Sequence, residues 1–189
     1  TGSIEKGLRK SFGNIDIVSV DNNPKWESTH TMDARAFYAK RMYPPGYFDV
    51  IWASPPCTEY SFAKTVGVRN IRASNALVKA TFRYLFDMRP KHWFVENPVN
   101  LLRKQTFMKE FERFRNVCTY CKYGTPYKKP TCIWSNCGLK LMRCDHDTPC
   151  NHVRTHGRHL VTCQSGPTKN GTQGMKHGHN VYPVPLRLT

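Results

Sequence analysis

Short apolar runs alternate with segments of helical periodicity along the first three quarters of the chain. The runs are typical of buried strands, which we predict over residues 15–20, 48–53, 93–95, 117–120 and 131–134. Helices are predicted over residues 4–12, 75–88 and 107–114. This alternation predicts an α/β fold, in which helices cover the faces of a sheet.

Three of the predicted strands end in polar or conformationally restricted residues. Asp21 follows the first of them, Pro55-Pro56-Cys57 follows the second, and Glu96-Asn97 follows the third. In open α/β sheets, ligands bind beyond the carboxyl ends of the strands. The sequence therefore predicts a functional site at this edge of the sheet.

The character of the chain changes after Asn136, where the periodicity is lost and Cys, His, Gly, Thr and Asn dominate. We therefore predict a main domain over residues 1–136 and a small, irregular lobe over residues 137–189. Five of the eight cysteines follow residue 131, a distribution that does not suit a disulfide framework. A reduced, intracellular chain with a metal site explains it better.

The cysteines of the lobe are spaced closely enough to bind one metal ion. Three thiolates and an imidazole form a closed tetrahedral Zn²⁺ site, and a lobe with little apolar core needs such a link to stay ordered. The predicted ligands are Cys137, Cys144, Cys150 and His152. Cys163, His156 and His159 are alternatives to any of these four, and the competing interpretation is a set of unliganded thiols and surface histidines.

The chain carries 29 basic against 13 acidic residues, which gives a formal charge of +16 and a pI near 9.7. Such an excess favours a polyanionic partner, usually nucleic acid, over an unspecific basic surface. A run of about 18 apolar residues, as a membrane span requires, is not found in the sequence. Because the chain begins at Thr1, we interpret it as N-terminally truncated.

Cys57 and Glu96 are the candidate catalytic residues. Two prolines restrict the backbone before Cys57, so its thiol is held on a rigid turn, where a thiolate is a strong nucleophile. A carboxylate at the neighbouring strand end can act as a general acid or base. The alternatives are an inert loop cysteine and a surface glutamate.

The segments Phe48–Cys57 and Trp93–Pro98, 39 residues apart from Cys57 to Glu96, resemble the DNA cytosine 5-methyltransferase family. The resemblance implies a Rossmann-like sheet that binds S-adenosylmethionine, with the irregular lobe attached. It also implies that Cys57 adds to carbon 6 of cytosine while Glu96 hydrogen-bonds N3. The lobe resembles a compact branch of the family found in phages and other viruses, which implies an intracellular location in the host cytoplasm or nucleus.

The resemblance further implies a cofactor site before the Pro-Pro-Cys turn. An acid about twenty residues after a glycine turn receives ribose hydroxyls in such folds, which matches Gly2 and Asp21. Asp33 resembles the acid that contacts the adenine amino group, although a loop-capping role explains it equally well. The cofactor-binding set implied is Thr1, Gly2, Ser3, Asp21, Asn22, Asp33 and Pro55.

On the substrate side, Lys129 and Thr131 match positions where the family usually has arginines, and Lys129 is expected to contact the cytosine carbonyl or a phosphate. Methyltransferases of this kind extrude the target base from double-stranded DNA. The expected DNA contacts are Asn97, Lys169, Thr172, Gln173 and Lys176. The alternative functions are a catalytically impaired DNA-binding protein of the same fold and an RNA cytosine methyltransferase; the oligomeric state and the target sequence are not predicted.

Overall fold

The structure is a computed structural model that describes residues 2–62, 64–165, 173–175 and 184. Its α-helices are α1 (Ser3–Phe12), α2 (Ile71–Met88) and α3 (Asn151–His156). Its strands are β1 (Val20–Asp21), β2 (His30–Thr31), β3 (Val50–Ala53), β4 (His92–Pro98), β5 (Arg115–Thr119), β6 (Pro130–Ser135), β7 (Val161–Ser165) and β8 (Gln173–Met175). In this described part, no helix is both long and apolar enough to cross a membrane.

Four strands form the main sheet, in the order β3-β4-β6-β5. β3 and β4 are parallel, with Val50 opposite His92 and Ala53 opposite Val95. Their near-continuous apolar sequences are typical of parallel strands covered on both faces. β1 and β2 form a separate parallel pair, so the structure confirms the predicted α/β class with a parallel sheet.

The helix α2 packs with one apolar stripe, which contains Val78, Phe82, Leu85 and Met88, each no more than 4% exposed. Their spacing of three or four residues places them on one face of a helix. Asn70 caps the first turn, where its Oδ1 accepts a hydrogen bond from the Ala73 N–H at 3.1 Å. The helix ends at Arg89 in a left-handed conformation, and Pro90 follows. Sequence periodicity located this helix but began it at residue 75, four residues late.

The chain divides into two compact units, which do not coincide with the predicted domains. The sheet unit comprises residues 16–116 and 132–139, and the cysteine unit comprises residues 1–15, 117–131 and 140–189. Within the sheet unit, Phe37, Ala39 and Met88 form an apolar cluster that Val20 and Ile51 extend. The division falls within β5 and β6, because each of these strands has residues in both ranges.

The cysteine unit has another kind of interior. One of its buried clusters consists of Cys121, Cys144 and Cys150, with the partly buried Val153 packed against it. The predicted irregular lobe also contains regular structure, since α3 is a short helix and β7 pairs in parallel with β8.

The strand predicted over residues 15–20 is largely absent. Strand pairing begins only at Val20, opposite His30. Before it, Ser19 and Thr29 exchange side-chain hydrogen bonds, each Oγ accepting from the other residue's backbone N–H at 3.1 Å. These hydroxyls accept hydrogen bonds from the backbone N–H groups of Ser19 and Thr29. Residues 15–18 form no described strand.

Candidate active site

The pairing of β3 with β4 places the turn that carries Cys57 beside Glu96. Ala53, the last residue of β3, lies opposite Val95, and Glu96 is the next residue along β4. Neighbouring strands lie about 4.8 Å apart, so the turn that begins at Ser54 leaves the sheet at the edge where Glu96 is held. Stacking of the Trp52 and Phe94 rings, with centroids 5.3 Å apart, supports this pairing on one face.

The two candidate catalytic side chains differ in exposure. Glu96 is only 6% exposed, and it is one of the buried polar residues of the described core. Cys57 is half-buried and not disulfide-bonded. Its carbonyl accepts a hydrogen bond from the Tyr60 N–H at 3.0 Å, which starts a short 3₁₀ turn over Thr58–Tyr60. A partly accessible thiol and a carboxylate sheltered from water suit a nucleophile and an acid that act on one substrate.

A buried asparagine fixes the Pro-Pro-Cys turn. Asn97 is fully buried, and its Nδ2 donates to the Pro55 carbonyl at 2.9 Å. Its Oδ1 accepts from Asn100 Nδ2 at 2.7 Å, and Asn100 Oδ1 accepts from the Leu102 N–H at 3.0 Å. The turn before Cys57 is therefore tied to the end of β4 by a chain of side-chain amides.

The loop after Cys57 is held by an arginine. The Arg69 guanidinium donates to the carbonyls of Glu59 and Ser61, both at 2.8 Å, and of Lys64 at 2.7 Å. Glu59 in turn accepts from Lys64 Nζ at 2.7 Å and from the Asn70 N–H at 2.6 Å. The hydrogen bond from Lys64 lowers the pKa of the Glu59 carboxyl. The Cys57 loop is thus closed on itself by hydrogen bonds to its own backbone.

The predicted cofactor acids Asp21 and Asp33 follow two paired strands. Asp21 is the last residue of β1, and its register partner Thr31 precedes Asp33 by two residues. Asp21 Oδ1 accepts from the Asn23 N–H at 2.8 Å, and Asn22 between them is exposed. Two carboxylates therefore follow adjacent parallel strands within the sheet unit.

Asp33 also caps its own loop, as the alternative interpretation held. Its Oδ1 accepts from the Arg35 N–H at 2.8 Å, and both carboxylate oxygens accept from the Arg35 guanidinium. The hydrogen bond with the Arg35 side chain, more than any other cause, lowers the pKa of the Asp33 carboxyl to about 2. Asp33 is half-buried and ionised at neutral pH, so it can still accept a hydrogen bond from a ligand.

Other predicted site residues belong to the cysteine unit. Gly2 precedes α1 with φ 60°, a left-handed conformation that glycine adopts without strain, and Ser3 is the first residue of that helix. Lys129 is half-buried, with its Nζ 4.7 Å from the centre of the Tyr120 ring. Thr131 is fully buried and its Oγ1 donates to the Lys129 carbonyl at 3.3 Å. Thr1 lies outside the described residues.

The predicted DNA contacts are not tested by the described structure. Asn97 is buried and both polar atoms of its side chain bond within the protein, so its placement favours support of the turn over contact with DNA. Lys169, Thr172 and Lys176 lie outside the described residues, as does the side chain of Gln173. Contacts from these four to DNA stay predictions.

The structure brings together a different metal-ligand set from the predicted one. The ligand atoms of Cys121, Cys144, Cys150 and His159 all lie within 4.8 Å of one another. Of the predicted four, only Cys144 and Cys150 are in this group, which we call the Cys3His cluster. His159 is one of the alternatives that the sequence offers, whereas Cys121 is not among the predicted ligands.

Local structure explains why the other two predicted ligands are not in the cluster. Cys137 follows β6 in the sheet unit, and its Sγ lies 3.2 Å from His92 Nδ1. His152 lies in the first turn of α3, two residues after Cys150, and two positions along a helix are rotated by about 200°. Gly157, at φ 68°, ends that helix in a left-handed turn and precedes His159 by two residues.

The spacing of Cys121 from Cys118 is a sequence feature that indicates a metal ligand. Cys118 and Cys121 form a C-x2-C pair, a spacing common in zinc sites. In the structure only the second joins the cluster, because Cys118 lies on β5 and Cys121 lies in the 3₁₀ turn that follows it. The remaining ligands come from residues 144–159, so the cluster joins segments that are distant in sequence.

Comparisons with known proteins agree with the resemblance. The profile of the family described as "C-5 cytosine-specific DNA methylase" matches residues 21–128, more than half of the chain. A "Probable DNA (cytosine-5)-methyltransferase" of Frog virus 3 (isolate Goorha) is 25% identical over 159 residues, 74% of this chain and 73% of that protein.

A crystal structure of the S. pombe Dnmt2 methyltransferase aligns with 74% of this chain at 14% identity and a TM-score of 0.49. The alignment covers 49% of that protein, so the chain spans about half its length. On the extent of the family match, the chain belongs to the C-5 cytosine-specific DNA methylase family.

Proposed function

We propose that the protein methylates carbon 5 of cytosine in DNA, with Cys57 as the nucleophile and Glu96 as the acid that supports it. The observation that carries this proposal is the parallel register of β3 and β4, in which Ala53 lies opposite Val95. It brings the Pro-Pro-Cys turn and Glu96 to one edge of the sheet. Family membership supplies the reaction class for that pair.

Cys57 makes carbon 5 of the base reactive. Carbon 5 of cytosine is a poor nucleophile, but addition of the Cys57 thiolate to carbon 6 forms a C–S bond and moves the electrons of the double bond toward carbon 5 and the ring. Carbon 5 then forms a bond to the methyl group, and the bond between that methyl group and the sulfur of its donor breaks. A base removes the carbon 5 proton, the double bond re-forms, and the Cys57 thiolate leaves.

Glu96 stabilises the adduct at the opposite side of the ring. As thiolate adds at carbon 6, negative charge develops toward N3, and a carboxylic acid that donates a hydrogen bond there lowers the energy of the adduct. Glu96 is almost completely buried, so water competes little for this hydrogen bond. Its position directly after Val95 on a strand fixes the carboxyl group more tightly than a loop would.

The side chains near Cys57 position the reacting groups. Asn97 holds the Pro55 carbonyl, and Arg69 holds three carbonyls of the loop after Cys57. A displacement of about 1 Å of a reacting group can cost about 10²-fold in rate. We therefore assign Asn97 and Arg69 as positioning residues for the Cys57 thiol.

S-adenosylmethionine, which the family implies, supplies the methyl group when it is bound. The residues of the sheet unit fit this cofactor, since Asp21 and Asp33 place hydrogen-bond acceptors after two adjacent parallel strands. Asp21 and Asn22 would hold the ribose hydroxyls and Asp33 the adenine amino group, with Pro55 beside them. For Thr1, Gly2 and Ser3, cofactor binding stays a prediction from the family resemblance.

DNA is the proposed substrate, and the net charge of +16 favours its binding. The target cytosine has to leave the duplex, because the Cys57 thiol cannot reach carbon 6 of a stacked base. Lys129, Lys169, Thr172, Gln173 and Lys176 are the proposed contacts to the base or phosphates. The reduced thiols that this chemistry requires favour an intracellular location. A zinc ion in the lobe would take no part in methyl transfer, since neither Cys57 nor Glu96 belongs to the Cys3His cluster.

Methyl transfer from labelled S-adenosylmethionine tests this function. The protein is incubated with double-stranded DNA and, in a parallel reaction, with RNA of the same sequence, and bisulfite sequencing locates the modified base. We expect 5-methylcytosine in DNA with the wild type and none with Cys57→Ala. Transfer to RNA alone would contradict the DNA assignment, and binding of DNA and cofactor without transfer would favour a non-catalytic DNA-binding protein.

A further inference from the structure

We propose that Cys121, Cys144, Cys150 and His159 bind one structural Zn²⁺ ion that holds the cysteine unit together. This proposal is independent of the methyl transfer proposed above, because none of its residues belongs to the sheet unit. It concerns a binding site formed by a ligand set that the sequence spacing alone does not reveal.

The distances between the ligand atoms fit one small tetrahedral ion. Zn–S bonds of about 2.3 Å and Zn–N bonds of about 2.05 Å place S and N ligands about 3.6 Å apart in a tetrahedron. His159 Nε2 lies 3.3 Å from Cys150 Sγ and 3.8 Å from Cys144 Sγ. Every pair of ligand atoms in the cluster lies within 4.8 Å, so a small adjustment closes the site around an ion.

The chemistry of the donors selects zinc over the hard cations. Three thiolates and one imidazole are soft or borderline ligands, whereas Mg²⁺ and Ca²⁺ require oxygen ligands. The three cysteines are at most 5% exposed and His159 is half-buried, so four protein ligands would enclose the ion and leave no open coordination position. A closed site of this kind is structural and not catalytic.

A backbone N–H group of the cluster points at one of its sulfur atoms. The Cys150 N–H lies 3.3 Å from Cys144 Sγ and donates to it. Cys150 itself is the residue that directly precedes α3. Backbone N–H groups that point at metal-bound sulfur are outer-shell contacts, which orient ligands and adjust their charge.

The packing of this region gives a second, independent reason for an ion. Around the three cysteines, the partly buried hydrophobic side chain that the described structure packs against them is Val153. Three small thiol side chains and one valine bury little apolar surface at this point of the unit. A metal ion links residues 121 and 144–159 directly, and its binding energy becomes folding energy.

A disulfide is the competing explanation for closely spaced cysteines. Three thiols cannot all be paired, and each of the three is reduced in the structure. One disulfide would leave a thiol and His159 without a common partner, whereas one zinc ion uses all four groups. The two explanations predict different masses and thiol counts, so they can be separated.

The test is elemental analysis of the full chain purified without added metal, followed by exchange of the bound ion for Co²⁺. We expect one Zn²⁺ per chain, and a cobalt spectrum with the intense visible bands of a tetrahedral site and sulfur-to-metal charge transfer. A chain without stoichiometric metal that also binds no added Zn²⁺ would overturn the proposal. So would a Cys144–Cys150 disulfide in the non-reducing mass spectrum.

Matched variants assign the ligands. Cys121→Ser and His159→Ala should weaken zinc binding by more than about 100-fold, because even outer-shell partners are worth about 10–100-fold. His159→Cys should retain one ion, since four thiolates also form a closed site. Cys137→Ser and His152→Ala are the controls and should retain one Zn²⁺ per chain.

The zinc ligands can be assigned even if one of the variants fails to fold. If Cys121→Ser is insoluble, the Cys137→Ser and His152→Ala variants still decide between the two ligand sets. Loss of zinc from either of these controls, with retention in His159→Ala, would overturn the set proposed here.

Discussion

The sheet unit and the cysteine unit place their reactive cysteines by different means. Cys57 stands on a turn at the end of a strand, and backbone pairing between β3 and β4 together with the Asn97 hydrogen bond holds it in place. In the cysteine unit, Cys121, Cys144 and Cys150 form a buried cluster with Val153 packed against it. A partly exposed thiol on a turn is accessible to a substrate, whereas buried thiols that lie close to one another suit the metal ion proposed above.

This difference also explains what could be predicted from the sequence. Cys57 and Glu96 each come shortly after an apolar run that forms a strand. The pattern of apolar residues therefore predicts both the strands and the polar residues at their ends. α2 was predicted for the same reason, since Leu77, Ala80 and Leu85 recur at helical spacing.

Only two members of the Cys3His cluster are among the four ligands predicted from sequence, because such a cluster depends on distance in space and not on distance in sequence. Cys144 and Cys150 are close in both senses and were found. Cys121 precedes them by more than twenty residues and joins through the turn after β5. Cys137 is nearer in sequence, but it follows β6, where Asn136 is tied to Lys91 and to Trp93 by hydrogen bonds of 2.9 Å each.

The strand predicted over residues 15–20 failed for another physical reason. The apolar run is present, yet a strand also needs a partner for its backbone N–H and C=O groups. In the described structure that partner, β2, has two residues, so the ladder has two positions. The apolar pattern of one strand does not show how long its partner strand is.

The largest expected effect is the loss of methyl transfer in Cys57→Ala, which distinguishes Cys57 from the thiols of the Cys3His cluster. Replacing Cys57 with Ala should abolish methyl transfer and leave the zinc content at one ion per chain, because the nucleophile is not a metal ligand. The measurement is a methyl-transfer assay together with elemental analysis of the same sample. Loss of zinc in Cys57→Ala, or activity above background, would break the distinction between the sites.

Removal of zinc should act on the other unit. After dialysis against a strong chelator, we expect amide exchange in residues 144–157 to accelerate by more than about 100-fold, since structural zinc contributes roughly 10 kcal/mol or more to folding. Residues 78–88 of α2 should keep their protection and serve as the internal control. Hydrogen exchange with mass spectrometry measures both, and uniform protection before and after chelation would contradict the structural role.

Glu96→Gln tests the acid in the sheet unit. The amide keeps the size of the side chain but cannot supply a proton, so kcat should fall by about 10²–10⁴-fold with a smaller change in KM. Glu110→Gln, a substitution at an exposed glutamate of the same unit, is the control and should leave kcat unchanged. Equal kcat values for the two variants would remove Glu96 from the mechanism.

Asn97→Ala tests whether the Pro-Pro-Cys turn has to be held. We expect kcat to fall by about 10²-fold because the turn loses its donor to the Pro55 carbonyl, and stability to fall by about 1–3 kcal/mol because buried Asn100 loses its acceptor.

Thr81→Val is the matched control for Asn97→Ala. The Thr81 side chain is also buried, and its hydroxyl donates a hydrogen bond to the Leu77 carbonyl at 3.1 Å. It lies on α2 and not beside the Pro-Pro-Cys turn. The substitution should lower stability without changing kcat in kinetic assays run well below both melting temperatures. If both variants lose activity in proportion to stability, Asn97 has only a structural role.

The smallest expected effect is electrostatic and lies at Asp33. Arg35→Ala should return the pKa of Asp33 from about 2 toward its ordinary value of 3.8. The folded pKa is the lower one, so the ion pair stabilises the protein above about pH 4, and this contribution is lost as the pH falls toward 2. The pair is exposed, so the stability change should be slight. Carboxyl NMR titration measures the shift, and an unchanged Asp33 pKa in Arg35→Ala would contradict the assigned cause.

The most direct test of the account is covalent trapping on DNA that contains 5-fluorocytosine. Fluorine at carbon 5 cannot leave as a proton does, so after methyl transfer the enzyme stays bonded to carbon 6. With S-adenosylmethionine present, we predict a denaturation-resistant protein–DNA complex whose crosslinked peptide contains Cys57, formed equally by Cys137→Ser and not by Cys57→Ala. A crosslink at any other cysteine, or no complex under conditions where the wild type binds both DNA and cofactor, would contradict the account.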